Sequence, residues 1–166
     1  MRNVIALLVL IASVSLNGQS PLTLTASGFA EPSYIEFTNY SADSLYKKSK
    51  EWVQYFYLDP EEVFKSDIPG KAIRIKGAIE ESETSFWMYQ LTLDFKDNKV
   101  RATFEQIEHN FMVIGRHMRQ TPADFYKRNG QPRSRSMQSI NIVTAMFQEV
   151  LIKYTNYLNG QLEAEW

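Results

Sequence analysis

Four segments of the chain alternate apolar and polar residues, which is the spacing of β-strands with one buried face. They cover residues 34–38, 72–79, 86–95 and 100–105, and residues 96–99 form a polar turn that predicts a hairpin between the last two. Residues 111–114 suggest a short final strand. The pattern therefore predicts an antiparallel sheet of about four to five strands that is covered on one side only.

Two further segments have apolar residues at helical spacing. The first begins after Asn39 or Ser41, either of which can cap it, and extends to about Leu58. Pro60 ends it because the residue before a proline avoids helical geometry. The second begins after Ser136 and ends at Gly160. Both helices need an apolar surface to cover, and the sheet offers one. We expect both to pack on the same sheet face in a two-layer α+β domain.

The order of these elements resembles that of a known family. A helix with a Ser-Leu-Tyr and Glu-Trp pattern is followed by Ile-Lys-Gly and by a hairpin, in the segments 44–52, 75–77 and 89–101. In these features the chain is similar to an exported bacterial family of unknown function whose fold resembles TATA-binding protein. The similarity spans residues 34–107. It implies an antiparallel sheet with helices on one face, but no activity and no site residues. DNA binding is not implied, because a fold does not define a function.

The N-terminus has the pattern of a secretory signal peptide. Arg2 precedes an apolar run over residues 4–16, and small and turn-forming residues follow it. The run is shorter than the about 20 residues that a membrane-spanning helix needs. We expect a signal peptide over residues 1–18, with cleavage after Gly18 or Ser15, and hence a periplasmic or secreted protein. Residues 19–32 would form an extended lead-in, 33–160 a single domain and 161–166 a frayed tail.

Composition and charge exclude several classes of site. The chain has no cysteine, so neither a disulfide nor a thiolate site can form. Its net charge is −1, too small to attract nucleic acid or an anionic membrane over a distance. The charge is uneven, however, because residues 115–135 contain six Lys or Arg residues and one acid. We expect this basic segment to be a long loop with one helical turn near residues 123–127.

No pattern of residues points to catalysis. His109 and His117 could bind a metal together with Glu105 and Glu108, but they lack the spacing of a tight ligand pair. The three glutamates among residues 80–83 fit an exposed turn better than a pair of hydrolytic carboxylates. We expect no catalytic residue, no metal and no cofactor.

The uncovered sheet face and the basic segment are the two candidate ligand sites. An open polar face of this kind can bind a glycan or a protein, and a sheet edge could pair two copies of the chain. Two alternatives remain, namely a hydrolase that uses Glu105, Glu108 and His109, and a binder of anionic polymers or membrane surfaces through the basic segment. The candidate ligand-binding residues are Tyr34, Arg74, Lys76, Gln90, Arg101, Arg116, Arg119, Lys127 and Arg128.

Overall fold

A six-stranded antiparallel sheet organises the computed structural model, which describes residues 21–160. A separate two-stranded hairpin, β1 (Leu24–Thr25) and β2 (Gly28–Phe29), comes before it. The sheet strands are β3 (Ser33–Glu36), β4 (Phe64–Ile68), β5 (Ala72–Ser82), β6 (Ser85–Lys96), β7 (Lys99–Val113) and β8 (Arg116–Gln120). They lie in the order β3-β7-β6-β5-β4, and β8 pairs with the distal part of β7. The predicted signal peptide and the predicted frayed tail lie outside the described residues.

The sheet is larger than the sequence pattern predicted. Strand β7 continues through the residues that we expected to form a separate final strand. The sequence did not show this because a β-bulge at Gln106, with a φ of 50°, shifts the alternation of buried and exposed residues by one position. Phe104 faces the core before the bulge, and Ile107 faces it after the bulge. Strands β4 and β8 lack a regular apolar face, so periodicity did not reveal them.

Helix α1 (Ala42–Phe56) begins where the sequence predicts, because the Ser41 Oγ accepts a hydrogen bond from the Ser44 amide at 3.1 Å. Its end differs slightly from the prediction. Pro60 does not simply stop α1, since it is the first residue of a short helix α2 (Pro60–Val63) that Asp59 caps. Helix α3 (Met137–Leu158) follows a 3-10 turn at Ser134–Ser136.

Both long helices pack on one face of the sheet, which confirms the predicted two-layer arrangement. The ring of Phe147 in α3 lies 4.9 Å from that of Phe104 in β7. Helices α1 and α3 meet through Trp52 and Tyr154, whose ring centroids are 5.0 Å apart, and the buried Tyr154 hydroxyl lies 2.7 Å from the Ser49 Oγ. Within residues 21–160, no helix is both long and apolar enough to cross a lipid bilayer.

Gly77 makes room for a buried ring of β6 that takes part in a polar contact. A Cβ on Gly77 would lie 2.6 Å from the ring of Tyr89, which is 1% exposed. The Tyr89 hydroxyl lies 2.7 Å from that of Tyr57. Burial raises the pKa of Tyr89 to about 12 and that of Tyr57 well above its usual value. The two phenols therefore stay neutral and hydrogen-bonded inside the core.

The β1–β2 hairpin closes a gap at the edge of β7. Strands β3 and β8 pair with opposite ends of this edge, and the stretch around Phe104 and Ile107 has no strand beside it. Phe29 packs there, 5.8 Å from the Phe104 ring and 5.2 Å from the Phe147 ring. The Tyr126 hydroxyl donates to the Leu24 carbonyl and holds the hairpin in place. The segment expected to be an extended lead-in thus contributes to the core.

Candidate functional site

The face of the sheet opposite the helices carries polar side chains in cross-strand rows. Strand pairing aligns Tyr34, Arg101 and Asp94 in one row, and Thr103, Thr92 and Arg74 in the next. A third row contains Glu105, Gln90 and Lys76. No helix covers these rows in the part of the chain that the structure describes, so the side chains of four strands are available to one ligand. We call this surface the open face.

A cleft of about 410 Å³ lies at the end of the open face where β6 turns into β7. We call it the hairpin-end cleft. Its polar lining consists of Tyr34, Lys71, Asp94, Lys96, Lys99 and Arg101.

Two of the four cations in this cleft have acidic partners. The Arg101 Nε and Nη2 donate to the Asp94 Oδ2 at 3.0 and 2.8 Å, and this contact raises the pKa of Arg101. The Lys99 Nζ lies 2.9 Å from the Glu36 Oε1. No ion pair with Lys71 or Lys96 occurs among residues 21–160. The cleft thus has a surplus of positive charge on a chain whose net charge is −1.

A second depression, of about 230 Å³, lies near the β7 bulge, and we call it the bulge cleft. The Arg119 Nε lies 2.9 Å from the Glu108 Oε1, and the Asn110 Nδ2 donates to the same oxygen at 3.2 Å. No acidic partner for Lys76 occurs in the described chain. This cleft is lined by residues that include Lys76, Met88, Gln106, Glu108, Asn110 and Arg119.

The structure distributes the predicted ligand residues of the sheet over these two clefts and the surface between them. Tyr34 and Arg101 line the hairpin-end cleft, and Lys76 lines the bulge cleft. Between the clefts, the Arg74 Nε donates to the Thr92 Oγ1 at 3.3 Å, and the Gln90 Nε2 donates to the Glu105 Oε2 at 3.2 Å. All the predicted sheet residues therefore lie on one continuous face.

The basic segment, in contrast, is neither a single long loop nor a single surface. Its first part is strand β8, where Arg119 lies opposite Asn110 on the open face and Arg116 lies opposite Val113 on the other side. A 3-10 turn (Pro122–Phe125) follows, near the predicted helical turn. Phe125 packs 6.0 Å from Trp87 on the helix side, and Lys127 and Arg128 follow it as exposed residues. Strand β8 thus separates Arg119 from Arg116, which the sequence places close together.

The three residues of the hydrolase alternative do not converge. Glu105 and Glu108 lie on the open face, where Gln90 and Arg119 contact them. His109 lies on the opposite side of β7, stacked on Trp87 with ring centroids 4.3 Å apart. His117 pairs with Met112 in the β7–β8 register, on the open-face side. Within residues 21–160, no group of three or more potential metal ligands comes together.

His109 instead belongs to a hydrogen-bonded cluster that the sequence did not reveal. Its Nε2 lies 2.7 Å from the Ser85 Oγ and 2.9 Å from the Glu81 Oε2. Ser85 also donates to Glu81 at 2.7 Å. In a catalytic triad the acid contacts Nδ1 and the serine contacts Nε2, whereas here both contact Nε2 and the buried Nδ1 has no partner among the described residues. The cluster holds a hairpin end together and lacks the geometry of a triad.

Comparisons with known proteins extend the structural description. No protein-family model and no curated protein matches the sequence. Among solved structures, a TBP-like protein from Parabacteroides distasonis superimposes with a TM-score of 0.59 at 11% identity, over 77% of this chain and 90% of that one. A DUF4468 family protein from Bacteroides ovatus gives a TM-score of 0.51 at 11% identity, over 74% and 84% of the two chains.

The fold is TBP-like. This confirms the resemblance to a family with a fold similar to TATA-binding protein, and it confirms the α+β class. At 11% identity the likeness concerns the fold alone. The TBP-like sheet leaves one face without helices, which is the face that carries the two clefts.

Proposed function

We propose that the protein is an exported, non-catalytic binding domain that recognises a glycan or a protein on its open face. One observation carries the proposal: within residues 21–160, four neighbouring strands present polar side chains on a surface that no helix covers, and two clefts in it contain cations without acidic partners. Recognition surfaces need such groups in fixed positions more than they need a reactive centre.

The packing behind the open face supports this role. Leu91 and Leu93 alternate with Gln90 and Thr92 along β6, and both leucines are fully buried under the helices. A closely packed core of this kind holds the strand backbone in one position. The side chains on the other face therefore start from fixed points, which lowers the entropic cost of binding a ligand.

The alternative site in the basic segment has less structural support. Arg116 lies on the helix side of strand β8, whereas Arg119 lies on the open face with Glu108 as its partner. These two arginines cannot contact one small patch of an anionic surface together. We therefore place the ligand on the open face.

Binding assays on glycan and protein arrays test the proposal. Charge reversals at Arg74, Lys76 and Arg101 should abolish any specific signal, whereas the same change at Lys153 on α3 should leave it intact. Binding that survives all three reversals and is lost in Lys127→Glu/Arg128→Glu would move the site to the basic segment. Fractionation of expressing cells, with N-terminal sequencing of the mature chain, tests export and the cleavage after Gly18 or Ser15.

Pairing of two copies through a sheet edge stays a prediction. Light scattering of the purified chain checks it, since a dimer would double the measured mass. A dimer that buries the open face would compete with ligand, so the same measurement with bound ligand shows which surface is shared.

A further inference from the structure

We propose that the hairpin-end cleft binds a carboxylate-bearing sugar unit of an acidic glycan. This inference rests on the proposed function and names the ligand class for one part of the open face. Three features of the cleft support it, namely a surplus of cations, a carboxylate with one free oxygen, and an exposed aromatic ring. Each feature fits a different part of a uronic acid residue: its carboxylate, its hydroxyl groups and the apolar face of its ring.

The cations form an unfavourable arrangement in the free protein. Lys96 and Lys99 lie directly opposite each other across the β6–β7 hairpin, and like charges in such positions destabilise a sheet. Lys99 is paired with Glu36, but within residues 21–160 neither Lys96 nor Lys71 has an acidic partner. A ligand carboxylate in the cleft would offset this repulsion, so the stability lost in the free protein is recovered on binding.

The Arg101–Asp94 pair adds a hydrogen-bond acceptor to the cleft, which a site for a simple anion does not need. Both Arg101 bonds go to the Asp94 Oδ2, and the Asp94 Oδ1 has no hydrogen-bond partner among the described residues. A lone carboxylate oxygen can only accept hydrogen bonds. The hydroxyl groups of a sugar can donate to this oxygen while the carboxylate of the same sugar contacts the lysines.

Tyr34 supplies the apolar part of the cleft. Its side chain is 44% exposed and lies in the same row as Arg101. The Lys99 ammonium is 5.9 Å from the centroid of this partly exposed ring. A flat aromatic ring beside hydrogen-bonding groups fits a ligand with an apolar face and a polar rim, as a pyranose ring has. An acidic peptide has carboxylates but few hydroxyl donors for Asp94, so the combination favours a sugar.

Isothermal titration with oligogalacturonate tests the ligand class. We expect the full chain to bind tetragalacturonate and to bind the methyl-esterified oligomer about tenfold more weakly, because esterification removes the charges and keeps the sugar rings. Polyglutamate of matched charge should also bind more weakly. Equal binding of polyglutamate would indicate that the ligand is an acidic protein and not a sugar. If neither tetragalacturonate nor any other uronate oligomer binds, the proposal is wrong.

Variants of the cleft test the position of the site. Lys71→Glu/Lys96→Glu should weaken tetragalacturonate binding about tenfold, and Asp94→Asn should weaken it less. Lys47→Glu/Lys153→Glu, an equal charge change on α1 and α3, should leave binding unchanged. Lys96→Glu alone should keep or raise the melting temperature, because it places an acid opposite Lys99, so weaker binding by this single variant cannot be attributed to unfolding.

The two proposals fail in different ways. If binding survives Lys71→Glu/Lys96→Glu but is lost in Lys76→Glu, the ligand uses the bulge cleft; this inference is then wrong and the open-face function stands. If array ligands bind and no open-face variant affects them, both are wrong.

Discussion

The two faces of this sheet differ in burial, because alternate residues of the same strands point to the packed helix side and to the exposed open face. Leu91 in β6 is fully buried under α1 and α3, whereas its neighbour Thr92 lies on the open face, where Arg74 donates to it. The helix side contains closely packed aromatic and aliphatic groups. The open face contains charged groups whose contacts are exposed and contribute little to stability. The helix side therefore determines most of the stability, and side chains on the open face can be changed at little cost to it.

The largest test of this separation is a matched pair of substitutions in β6. Leu91→Ala should destabilise the protein by about 2–5 kcal/mol, because it removes buried methyl groups and leaves a cavity. Thr92→Ala, one residue away, should cost about 1 kcal/mol or less. Chemical denaturation of both variants checks the difference. Equal costs would contradict the separation of the two faces.

Alkaline pH should act on the helix side through its buried tyrosines. Burial raises the pKa of Tyr57, Tyr89 and Tyr154, that of Tyr89 to about 12. The folded state holds these phenols neutral, so their contribution is complete below about pH 10, the unfolded value, and is lost as the pH rises through the folded value. Two pKa units at Tyr89 correspond to about 3 kcal/mol.

Tyrosinate absorbance and circular dichroism, recorded together against pH, check this prediction. The buried tyrosines should ionise only as the protein unfolds above pH 10, and Tyr89→Phe should make the loss of stability less steep. Ionisation of all tyrosines while the fold stays intact would show that the core is more accessible than this structure indicates.

Gly77→Ala tests how closely the helix side is packed. The added Cβ would lie 2.6 Å from the Tyr89 ring, which is buried and hydrogen-bonded to Tyr57. The ring cannot move without losing that bond, so we expect a cost of about 1–3 kcal/mol. Thermal unfolding measures it. In Gly77→Ala/Tyr89→Leu the clash is absent, and the glycine substitution should then cost much less than it does alone.

The β7–β8 turn belongs to neither face, and a substitution in it should raise the stability of the protein. Ile114 has a φ of 49° and is 97% exposed, and Gly115 has a φ of 71°. A β-branched residue is strained in this conformation, whereas Asn-Gly is favoured in two-residue turns of this kind. Ile114→Asn should stabilise the protein by about 1 kcal/mol. A lower melting temperature for this variant would mean that Ile114 has a packing role the structure does not show.

The smallest effect is expected for the ion pair of the hairpin-end cleft. Arg101→Gln removes an exposed pair with Asp94, so stability should change by about 0–1 kcal/mol. Ligand binding should nevertheless fall, since Arg101 lines the cleft. A large loss of stability without a change in binding would show that this ion pair stabilises the fold and does not bind ligand.

Much of the helix side could be predicted from periodicity. The alternation in residues 86–95 predicted β6 and the identity of its buried residues, and the stripe that begins at Ile140 predicted α3. The strands β4 and β8 were missed because their residues are mostly exposed, so burial left no alternating pattern in them. The bulge at Gln106 was also invisible, since one extra residue changes which side chains face the core without changing the composition.

The open face was predicted as a candidate ligand site, but its two clefts were not predicted. Parity along the strands placed Tyr34, Lys76 and Arg101 on the same side of the sheet. Their separation into two clefts depends on strand order and register, which bring Lys71 and Lys96 beside Arg101 although they are distant from Tyr34 in the chain. In the same way, the pairing of His109 with Glu81 and Ser85 depends on the bulge.

The sequence by itself determined which faces are apolar, because burial selects residue types at fixed spacing along each strand and helix. That was enough for the α+β class and for the helices on one side, whereas the TBP-like resemblance came from the residue patterns of segments 44–52, 75–77 and 89–101. The tertiary structure decided which charged residues meet, because the contacts between exposed side chains arise from strand pairing across long separations and leave no period in the sequence. The tertiary structure therefore decided where the clefts of the open face lie and how the basic segment is divided between the two sides of the sheet.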